Sequence, residues 1–270
     1  MKKIYVSVIC YANESEVLSF AKEIGEQTIS DRIVLIVVYN KITSEEKREQ
    51  LESGLDALDI QHLTCDPHDN LGYLHGCLYG LGQLETEKDS WCVICNTDLH
   101  FGSADFFARL IAVTEDDNDI WGVAPAVILR SNGRPQNPFM VNRPSAASIK
   151  KLKLIFSNYL FYSLYIRLYN IKKRRSAVKT TDHPENIYAA HGCFMFLKHD
   201  LAEILTQNND PIFMYEEEIL VAEYIFRNKK TFRFVPEAVV YHLQGEIKAD
   251  KRKQKWLKQS IGYLYDKFFK

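Results

Sequence analysis

The sequence predicts an α/β protein with a mostly parallel central sheet flanked by helices. Three patterns predict it: short continuous apolar runs typical of buried strands, segments of helical spacing between those runs, and polar residues directly after them. Apolar residues make up 46% and charged residues 26% of the 270-residue chain, which favours a folded globular protein over a disordered one. A chain of this length can form one large domain or two small ones.

Strands alternate with helices through the first part of the chain. Three apolar runs predict strands, Ile4–Cys10, Ile33–Val38 and Trp91–Cys95, and His62–Cys65 predicts a further short strand. Helical spacing predicts helices over Glu14–Glu26, Ser44–Leu55, Leu74–Leu84 and Ala104–Val113. Asn13 precedes the first helix at the position where a capping side chain is expected. Strands joined in this way run parallel, and the helices cover both faces of the sheet.

The carboxyl ends of these strands predict a ligand site. In open parallel sheets, ligands bind beyond the carboxyl ends of the strands. Polar residues follow the predicted strands at that edge: Tyr11, Ala12 and Asn13; Tyr39 and Asn40; Asp69 and Asn70; Asn96, Thr97 and Asp98. We therefore expect one edge of the sheet to carry a polar ligand site.

Asp98 has two interpretations from its place after a buried strand. Its carboxylate can hold a divalent cation against a diphosphate, since hard cations prefer oxygen ligands. Equally, it can cap the helix that follows. The sequence has neither a GxxxxGK[ST] loop nor a GxGxxG loop, so a cation would have to bind the phosphates in their place.

The six cysteines predict reduced thiols and no zinc or disulfide site. Cys92 and Cys95 form a CxxC pair, but both lie in the apolar run of a predicted strand. Buried free thiols are typical of a reducing compartment. No signal-peptide pattern opens the sequence, so we expect a cytoplasmic protein.

The net charge of −1 conceals two halves of opposite charge. Residues 1–145 carry 12 Lys/Arg and 22 Asp/Glu, whereas residues 146–270 carry 22 and 13. The basic residues concentrate at 150–179 and 248–270, which predicts an anionic partner for the second half. Nucleic acid is not the expected partner, because no recognition motif accompanies the charge.

The segment Leu152–Ile171 is dense in Leu, Ile, Phe and Tyr and has basic residues on both sides. It is too polar to predict a transmembrane helix. Two interpretations stay open: a helix lying peripherally on an anionic membrane, or a core or dimer helix with solvated basic ends, the latter in a homo-oligomer.

Three consecutive carboxylates, Glu216, Glu217 and Glu218, follow an apolar-aromatic run, and His242 ends a strand downstream. Negative charge is favourable at a helix N-terminus, and at least one of these side chains can point into a cleft. The simpler interpretation is a solvated helix start, and we expect Glu216 to be solvated.

Five segments resemble, in order, the motifs of one enzyme family. They are VSVICYANESEVL (6–18), NLGYLHGCLYGL (70–81), VICNTDLHF (93–101), HGCFMFLKHD (191–200), and PIFMYEEEI followed by FVPEAVVYHLQG (211–245). Through them the sequence resembles the family 2 glycosyltransferases of the GT-A fold, close to the rhamnosyltransferase-like and galactofuranosyltransferase-like branches. The resemblance covers most of residues 4–245.

The resemblance implies an inverting transfer of a sugar from a UDP- or dTDP-sugar to a glycan or lipid-linked acceptor, in surface polysaccharide assembly. It makes Glu218 the catalytic base and Glu217 the neighbour that orients the acceptor. It implies Mn²⁺ or Mg²⁺ held by Asp98 and His242. The implied donor-binding residues are Tyr11, Ala12, Asn13, Tyr39, Asn40, Asn70, Gly72, Asn96 and Asp98, and the implied acceptor-side residues are His191 and Gly192.

The resemblance also implies a division of the chain. Residues 1–245 would form the GT-A domain, with a nucleotide-sugar-binding half at 1–100 and an acceptor half at 101–245. A helical insertion is expected near 150–175, and a basic amphipathic tail at 246–270.

One departure from the family pattern keeps a second function open. Tyr39 stands where the family usually has the acid that recognises the nucleobase, so the donor base is not fixed. With only one acid at 96–98, the chain could instead be a catalytically degenerate GT-A protein that serves as a binding or assembly subunit. A sugar-1-phosphate nucleotidyltransferase would need a Gly-rich basic loop, which residues 6–20 lack.

Overall fold

The computed structural model describes residues 2–115, 117–175, 183–243 and 249–270. The side chains of the basic run at 172–175 and the predicted domain boundary at 245 lie outside the described residues. The strands are β1 (Ile4–Tyr11), β2 (Ile33–Lys41), β3 (Gln61–Cys65), β4 (Trp91–Cys95), β5 (Leu99–Phe101), β6 (Ile120–Leu129), β7 (Glu185–Ile187), β8 (Phe194–Lys198) and β9 (Thr231–His242). The α-helices are α1 (Glu14–Gly25), α2 (Glu45–Asp56), α3 (Leu74–Leu81), α4 (Phe106–Ala112), α5 (Ala146–Ser157), α6 (Tyr159–Arg175), α7 (His199–Asn208), α8 (Glu217–Arg227) and α9 (Lys251–Leu264).

The strands form one mixed sheet in the order β3-β2-β1-β4-β8-β6-β9-β5, and β7 also pairs with β9. β3, β2, β1 and β4 run parallel to one another. β8 is antiparallel to both β4 and β6, whereas β6 is parallel to β9. β8 runs opposite to β4, and β6 runs opposite to β8, so β6 and β9 run in the direction of β4. The carboxyl ends of β4 and β9 therefore lie at the same edge of the sheet. The predicted α/β class with a mostly parallel sheet is confirmed.

Burial on both faces explains the continuous apolar runs of the first strands. Successive side chains of a strand point to opposite faces: Tyr5 of β1 belongs to the core cluster that includes α3, α8 and α9, and Val6 belongs to the cluster that includes α1, α2 and α4. β1 and β2 extend beyond the predicted strands to Tyr11 and Lys41. Tyr39 and Asn40 therefore belong to β2 itself and not to a loop after it.

Two glycines bring α3 against the sheet. A Cβ at Gly80 would lie 2.6 Å from Val38 Cγ2 and 2.8 Å from Ser7 Oγ, and one at Gly76 would lie 2.5 Å from Ile9 Cδ1. Any larger residue would push the helix outward. The close approach fixes the loop before α3, which carries the predicted donor residues.

The predicted helical insertion consists of two helices, α5 and α6. Asn158 separates them with an extended backbone (φ −127°, ψ 132°), and its Oδ1 accepts a hydrogen bond from the Leu160 N–H at 2.8 Å. Tyr162 and Ile166 of α6 pack into the main core. Among the described residues, no helix combines the length and apolar character needed to cross a membrane.

The C-terminal segment packs on the main core through α9. Leu257, Ile261 and Leu264 are buried there. The turn after α9 carries Lys267, whose ammonium binds the buried carboxylate of Asp210 and donates to the Tyr224 hydroxyl at 2.8 Å. The described part of the predicted basic tail is therefore integrated into the fold.

We expect Lys267→Met to destabilise the protein by about 3 kcal/mol, because it leaves Asp210 as a buried, uncompensated charge. Urea denaturation measures the free energy of unfolding. The matched control is Lys258→Met, since Lys258 is exposed on α9. Equal losses in the two variants would show that the Asp210–Lys267 pair does not anchor the C-terminal segment.

Candidate active site

Asn13 ties the turn after β1 to the turn after β4. Its Oδ1 accepts a hydrogen bond from the Tyr11 N–H at 2.7 Å, and its Nδ2 donates to Thr97 Oγ1 at 2.9 Å and Glu16 Oε1 at 2.8 Å. Ala12 has a left-handed backbone with φ 56°. Asn13 occupies the N-cap position of α1 but makes no side-chain capping bond. Its side chain therefore holds the sheet edge together.

Asn40 holds the loop before α3 against the end of β2. Its buried Nδ2 donates to the Gly72 carbonyl at 2.7 Å, and its Oδ1 accepts from the Leu71 N–H at 3.4 Å. Asn70 Oδ1 accepts from the Gly72 N–H at 3.0 Å. Gly72 has φ 79°, and a Cβ there would lie 2.0 Å from the Phe213 carbonyl oxygen, so this position requires glycine. Three predicted donor residues thus meet at this edge.

Tyr39 is placed differently from the other predicted donor residues. Its side chain is 2% exposed, its hydroxyl donates to Glu52 Oε1 at 3.2 Å, and the Arg48 guanidinium lies 4.9 Å from the ring centroid. Burial, with the Glu52 carboxylate, raises the pKa of the phenol. The side chain packs with α2, and its donor-binding role stays a prediction.

Asp98 and His242 meet through the pairing of β5 with β9. Leu99 is the partner of His242 in this ladder, and the Leu243 N–H donates to the Asp98 carbonyl at 3.1 Å. His242 Nε2 lies 3.4 Å from Asp98 Oδ2, and the His242 side chain is 2% exposed. The two predicted cation ligands are therefore adjacent.

The environment of Asp98 fits a divalent cation. Burial favours the neutral acid, but the hydrogen bond and charge of His242, together with Asn96, outweigh it and hold the pKa of Asp98 below its usual value. Its Oδ1 is buried and has no hydrogen-bond partner among the described residues. An ionised carboxylate with an unpartnered oxygen beside an imidazole is a suitable donor pair for such a cation.

Gln136 positions His242. Its Oε1 lies 2.8 Å from His242 Nδ1, and its Nε2 lies 3.2 Å from His191 Nε2. With Nδ1 of His242 engaged by Gln136, Nε2 is the ring nitrogen that faces Asp98. A side chain outside the ligand pair thus orients the imidazole.

His191 and Cys193 lie beside the same pair. The ligand atoms of His191, Cys193 and His242 are all within 4.8 Å of one another. Burial raises the pKa of the Cys193 thiol well above its ordinary value, so the thiol stays protonated, and the Cys193 N–H donates to His191 Nδ1 at 3.2 Å. Asp98 and His242 are therefore the better-prepared ligands.

The chain enters α8 through two residues with left-handed backbone. Tyr215 has φ 68° and Glu216 has φ 70°, a conformation that non-glycine residues rarely adopt. The Tyr215 N–H donates to Glu217 Oε1 at 2.8 Å, and Glu217 is 5% exposed. Glu216 is half-buried, so the expectation that it is solvated is wrong.

Glu218 faces the segment before β8. Its Oε1 accepts from the Gly192 N–H at 3.1 Å, and a Cβ at Gly192 would lie 2.7 Å from that oxygen. Tyr73 donates to the Gly192 carbonyl at 2.7 Å, which fixes this backbone from the other side. The predicted base and the predicted acceptor-side glycine are therefore in contact.

The three glutamates share a low-dielectric environment. Burial, reinforced by the charge of Glu218, raises the pKa values of Glu216 and Glu217 from 4.5 to about 8. Burial also raises the pKa of Glu218, while the charge of Lys253 opposes this shift. Lys253 comes from α9, and its ammonium lies 4.4 Å from the Tyr215 ring centroid.

The segment His191–Cys193 links the acids to the proposed cation ligands. Gly192 contacts Glu218, while the His191 ring lies next to His242, with 5.7 Å between ring centroids. The segment His191–Cys193 therefore lies between the three glutamates and the Asp98–His242 pair. A candidate proton acceptor and a candidate cation site are thus connected by three consecutive residues.

Comparison with known proteins finds structural neighbours. No protein-family model matches the sequence, and no curated protein matches it. A crystal structure of GalNAc-T7 with UDP, GalNAc and Mn²⁺ has a TM-score of 0.68 at 12% identity, covering 100% of this chain and 50% of that chain. The mannosyltransferase PcManGT from Pyrobaculum calidifontis, in complex with GDP-Man and Mn²⁺, has a TM-score of 0.59 at 14% identity, covering 98% of this chain and 70% of that chain.

The chain has the GT-A glycosyltransferase fold. It spans half the length of the GalNAc-T7 chain. At identities of 12% and 14%, the similarity shows the fold, and the site residues have to be argued from their own geometry.

Two residues of this candidate site were missed by sequence reasoning, Gln136 and Lys253. Gln136 lies in an irregular loop after β6, and no local pattern marks it. Lys253 belongs to a run of basic residues that resembles a solvated helix face. Only the packing of α9 against the segment that contains Tyr215 and the three glutamates shows the position of Lys253.

The buried acids predict a pH dependence of stability. Because the pKa of Glu217 is raised from 4.5 to about 8 in the folded chain, the folded state keeps a proton that the unfolded state releases. The free energy of unfolding should therefore fall between these pH values by up to about 1.4 kcal/mol per pH unit for this one proton.

Glu217→Gln should remove the contribution of this proton to the slope of the free energy of unfolding against pH. Urea denaturation in EDTA from pH 5 to pH 8 measures this slope. The control is Glu49→Gln, because Glu49 is exposed on α2. If Glu217→Gln and wild type show the same slope, Glu217 is not a buried, protonated acid.

Proposed function

We propose that this protein is an inverting, cation-dependent glycosyltransferase. Its donor would be a UDP- or dTDP-sugar, and its acceptor a hydroxyl of a glycan or lipid-linked glycan in surface polysaccharide assembly in the cytoplasm. The observation that carries the proposal is the connection of Glu218 to the Asp98–His242 pair through the segment His191–Cys193 in a GT-A fold. The two neighbours, whose structures hold UDP or GDP-Man with Mn²⁺, support a nucleotide-sugar donor.

Glu218 suits the role of base. In an inverting displacement, the acceptor oxygen bonds to the anomeric carbon while the bond to the nucleotide diphosphate breaks on the opposite face. The hydroxyl proton passes to a carboxylate. Burial makes Glu218 more basic than an exposed glutamate, which strengthens general-base catalysis. Glu217 beside it would orient the acceptor.

Asp98 and His242 would hold the cation. A divalent ion bound there would neutralise the charge that grows on the leaving diphosphate. Asp98 supplies an ionised carboxylate, and Gln136 keeps His242 Nε2 directed toward it. These residues sit beside the turn that Asn13 and Thr97 tie together, so the ligands approach the donor from a rigid edge.

The proposed donor-binding part of the site consists mainly of the backbone of two turns, at Ala12 and at Gly72. Ala12 and Gly72 both adopt left-handed conformations, and hydrogen bonds from Asn13 and Asn40 fix the two turns. Tyr11 is 53% exposed, and its ring would stack on a bound base. These features support the donor-binding roles that the sequence predicts.

Glu218→Gln should lower sugar transfer about 10²-fold or more, because it removes the base, while leaving donor binding intact. Transfer from UDP- or dTDP-sugars with Mn²⁺ is measured on a bacterial lipid extract as the acceptor source. Glu237→Gln, at an exposed position of β9, is the control. Unchanged transfer by Glu218→Gln would refute the base assignment. A wild type that binds the donor without turnover would instead favour the binding or assembly subunit.

Asp98→Asn and His242→Ala should each weaken Mn²⁺ binding about tenfold or more, since each removes one proposed ligand. Electron paramagnetic resonance of free Mn²⁺ measures this without an activity assay. His68→Ala is the control, because its side chain is 87% exposed. Unaltered Mn²⁺ binding in both ligand variants would contradict the cation site.

A further inference from the structure

One face of α6 is apolar and uncovered. Its side chains are exposed by between 43% and 75%, although they are large and apolar: Leu160, Phe161, Leu164, Leu168 and Ile171. Their spacing of i, i+1, i+4, i+8 and i+11 places them within about 100° of the helix circumference. We call these five residues the α6 apolar face. The opposite side of the helix is buried through Tyr162 and Ile166, which fixes the orientation of the face.

The neighbouring helix α5 also exposes an apolar side chain, and both helices are rich in positive charge. Leu154 of α5 is 63% exposed. Residues 146–175 contain eight Lys/Arg and no Asp/Glu. Of the cations whose side chains are described, Lys150, Lys151 and Arg167 are exposed. A contiguous exposed apolar face of this kind marks an interaction surface.

The charge decides between two occupants of this surface. A two-fold contact between copies of the chain would bring the same basic helices together, and neither helix carries an acid to offset the repulsion. A bilayer that contains anionic lipids satisfies both features, since its acyl region takes apolar side chains and its headgroups attract cations. No described helix is able to cross a membrane, so the contact would lie in the surface plane.

We propose that α5 and α6 dock on an anionic lipid bilayer, with the α6 apolar face inserted at the headgroup–acyl boundary. α5 packs against α9, and α9 presents Lys253 to the acid segment at Tyr215. Docking would hold the candidate active site close to the membrane surface. The docking surface consists of exposed apolar and basic residues, and docking does not require that the chain transfers a sugar.

Cosedimentation with vesicles tests the docking. Vesicles of phosphatidylglycerol and phosphatidylcholine are compared with vesicles of phosphatidylcholine alone, at low salt and near physiological salt. Wild type should pellet with the anionic vesicles and less as salt increases. Leu164→Ser/Leu168→Ser should reduce the partition coefficient about tenfold or more, because two exposed apolar side chains are lost.

The matched control is Val141→Ser/Phe226→Ser, which removes two side chains of similar exposure, 46% and 53%, outside α5 and α6. It should pellet as wild type does. Lys150→Gln/Lys151→Gln should weaken binding at low salt and leave it nearly unchanged at high salt. All variants are checked for an unchanged unfolding temperature, since the altered positions are exposed.

Four results would overturn the proposal. Wild type could fail to pellet with anionic vesicles even at low salt, or Leu164→Ser/Leu168→Ser could pellet as wild type does. A lipid-free dimer in sedimentation velocity that this variant converts to monomer would show that a second copy covers the α6 apolar face. Equal binding to phosphatidylcholine alone would refute the role of anionic lipid.

Discussion

The antiparallel pairing of β5 with β9 is the interaction on which the site depends. It places His242 against Leu99, and so brings the end of β9 beside the turn that follows β4. The pairing is possible because two reversals, into β8 and out of it, point β6 and β9 in the direction of β4. A change of direction in either strand would move His242 to the far edge of the sheet, away from Asp98.

The environment of the three glutamates at 216–218 depends on the turn that precedes α8. Left-handed backbone at Tyr215 and Glu216 costs on the order of 1–3 kcal/mol at each residue, and the packed core of α8 offsets that cost. This turn directs Glu217 inward and Glu218 toward Gly192. Burial then raises the pKa values of the carboxyls, which a helix start open to water would leave near their usual values. The strained turn and the basicity of Glu218 thus have one structural origin.

Sequence predicted most accurately where the determining contacts are local. Buried parallel strands are continuous apolar runs, so β1, β2 and β4 were located within a few residues. The break at Asn158, which divides one predicted helix into two, depends on a side-chain cap that periodicity does not reveal. The place of Lys253 depends on α9 folding back across the chain, a contact that no local pattern encodes. The family resemblance predicted that Asp98 and His242 share a cation. The order of the strands in the sheet explains why the two side chains are adjacent.

We propose that the residues around Asp98, His242 and Glu218 bind a nucleotide-sugar together with a divalent cation. A thermal-shift panel of UDP-, dTDP- and GDP-sugars, each with Mn²⁺ and with EDTA, tests it most directly, because a ligand that binds only the folded state stabilises it. A UDP- or dTDP-sugar should raise the unfolding temperature with Mn²⁺ and not with EDTA. An unchanged unfolding temperature for every nucleotide-sugar at millimolar concentration with Mn²⁺ would contradict it.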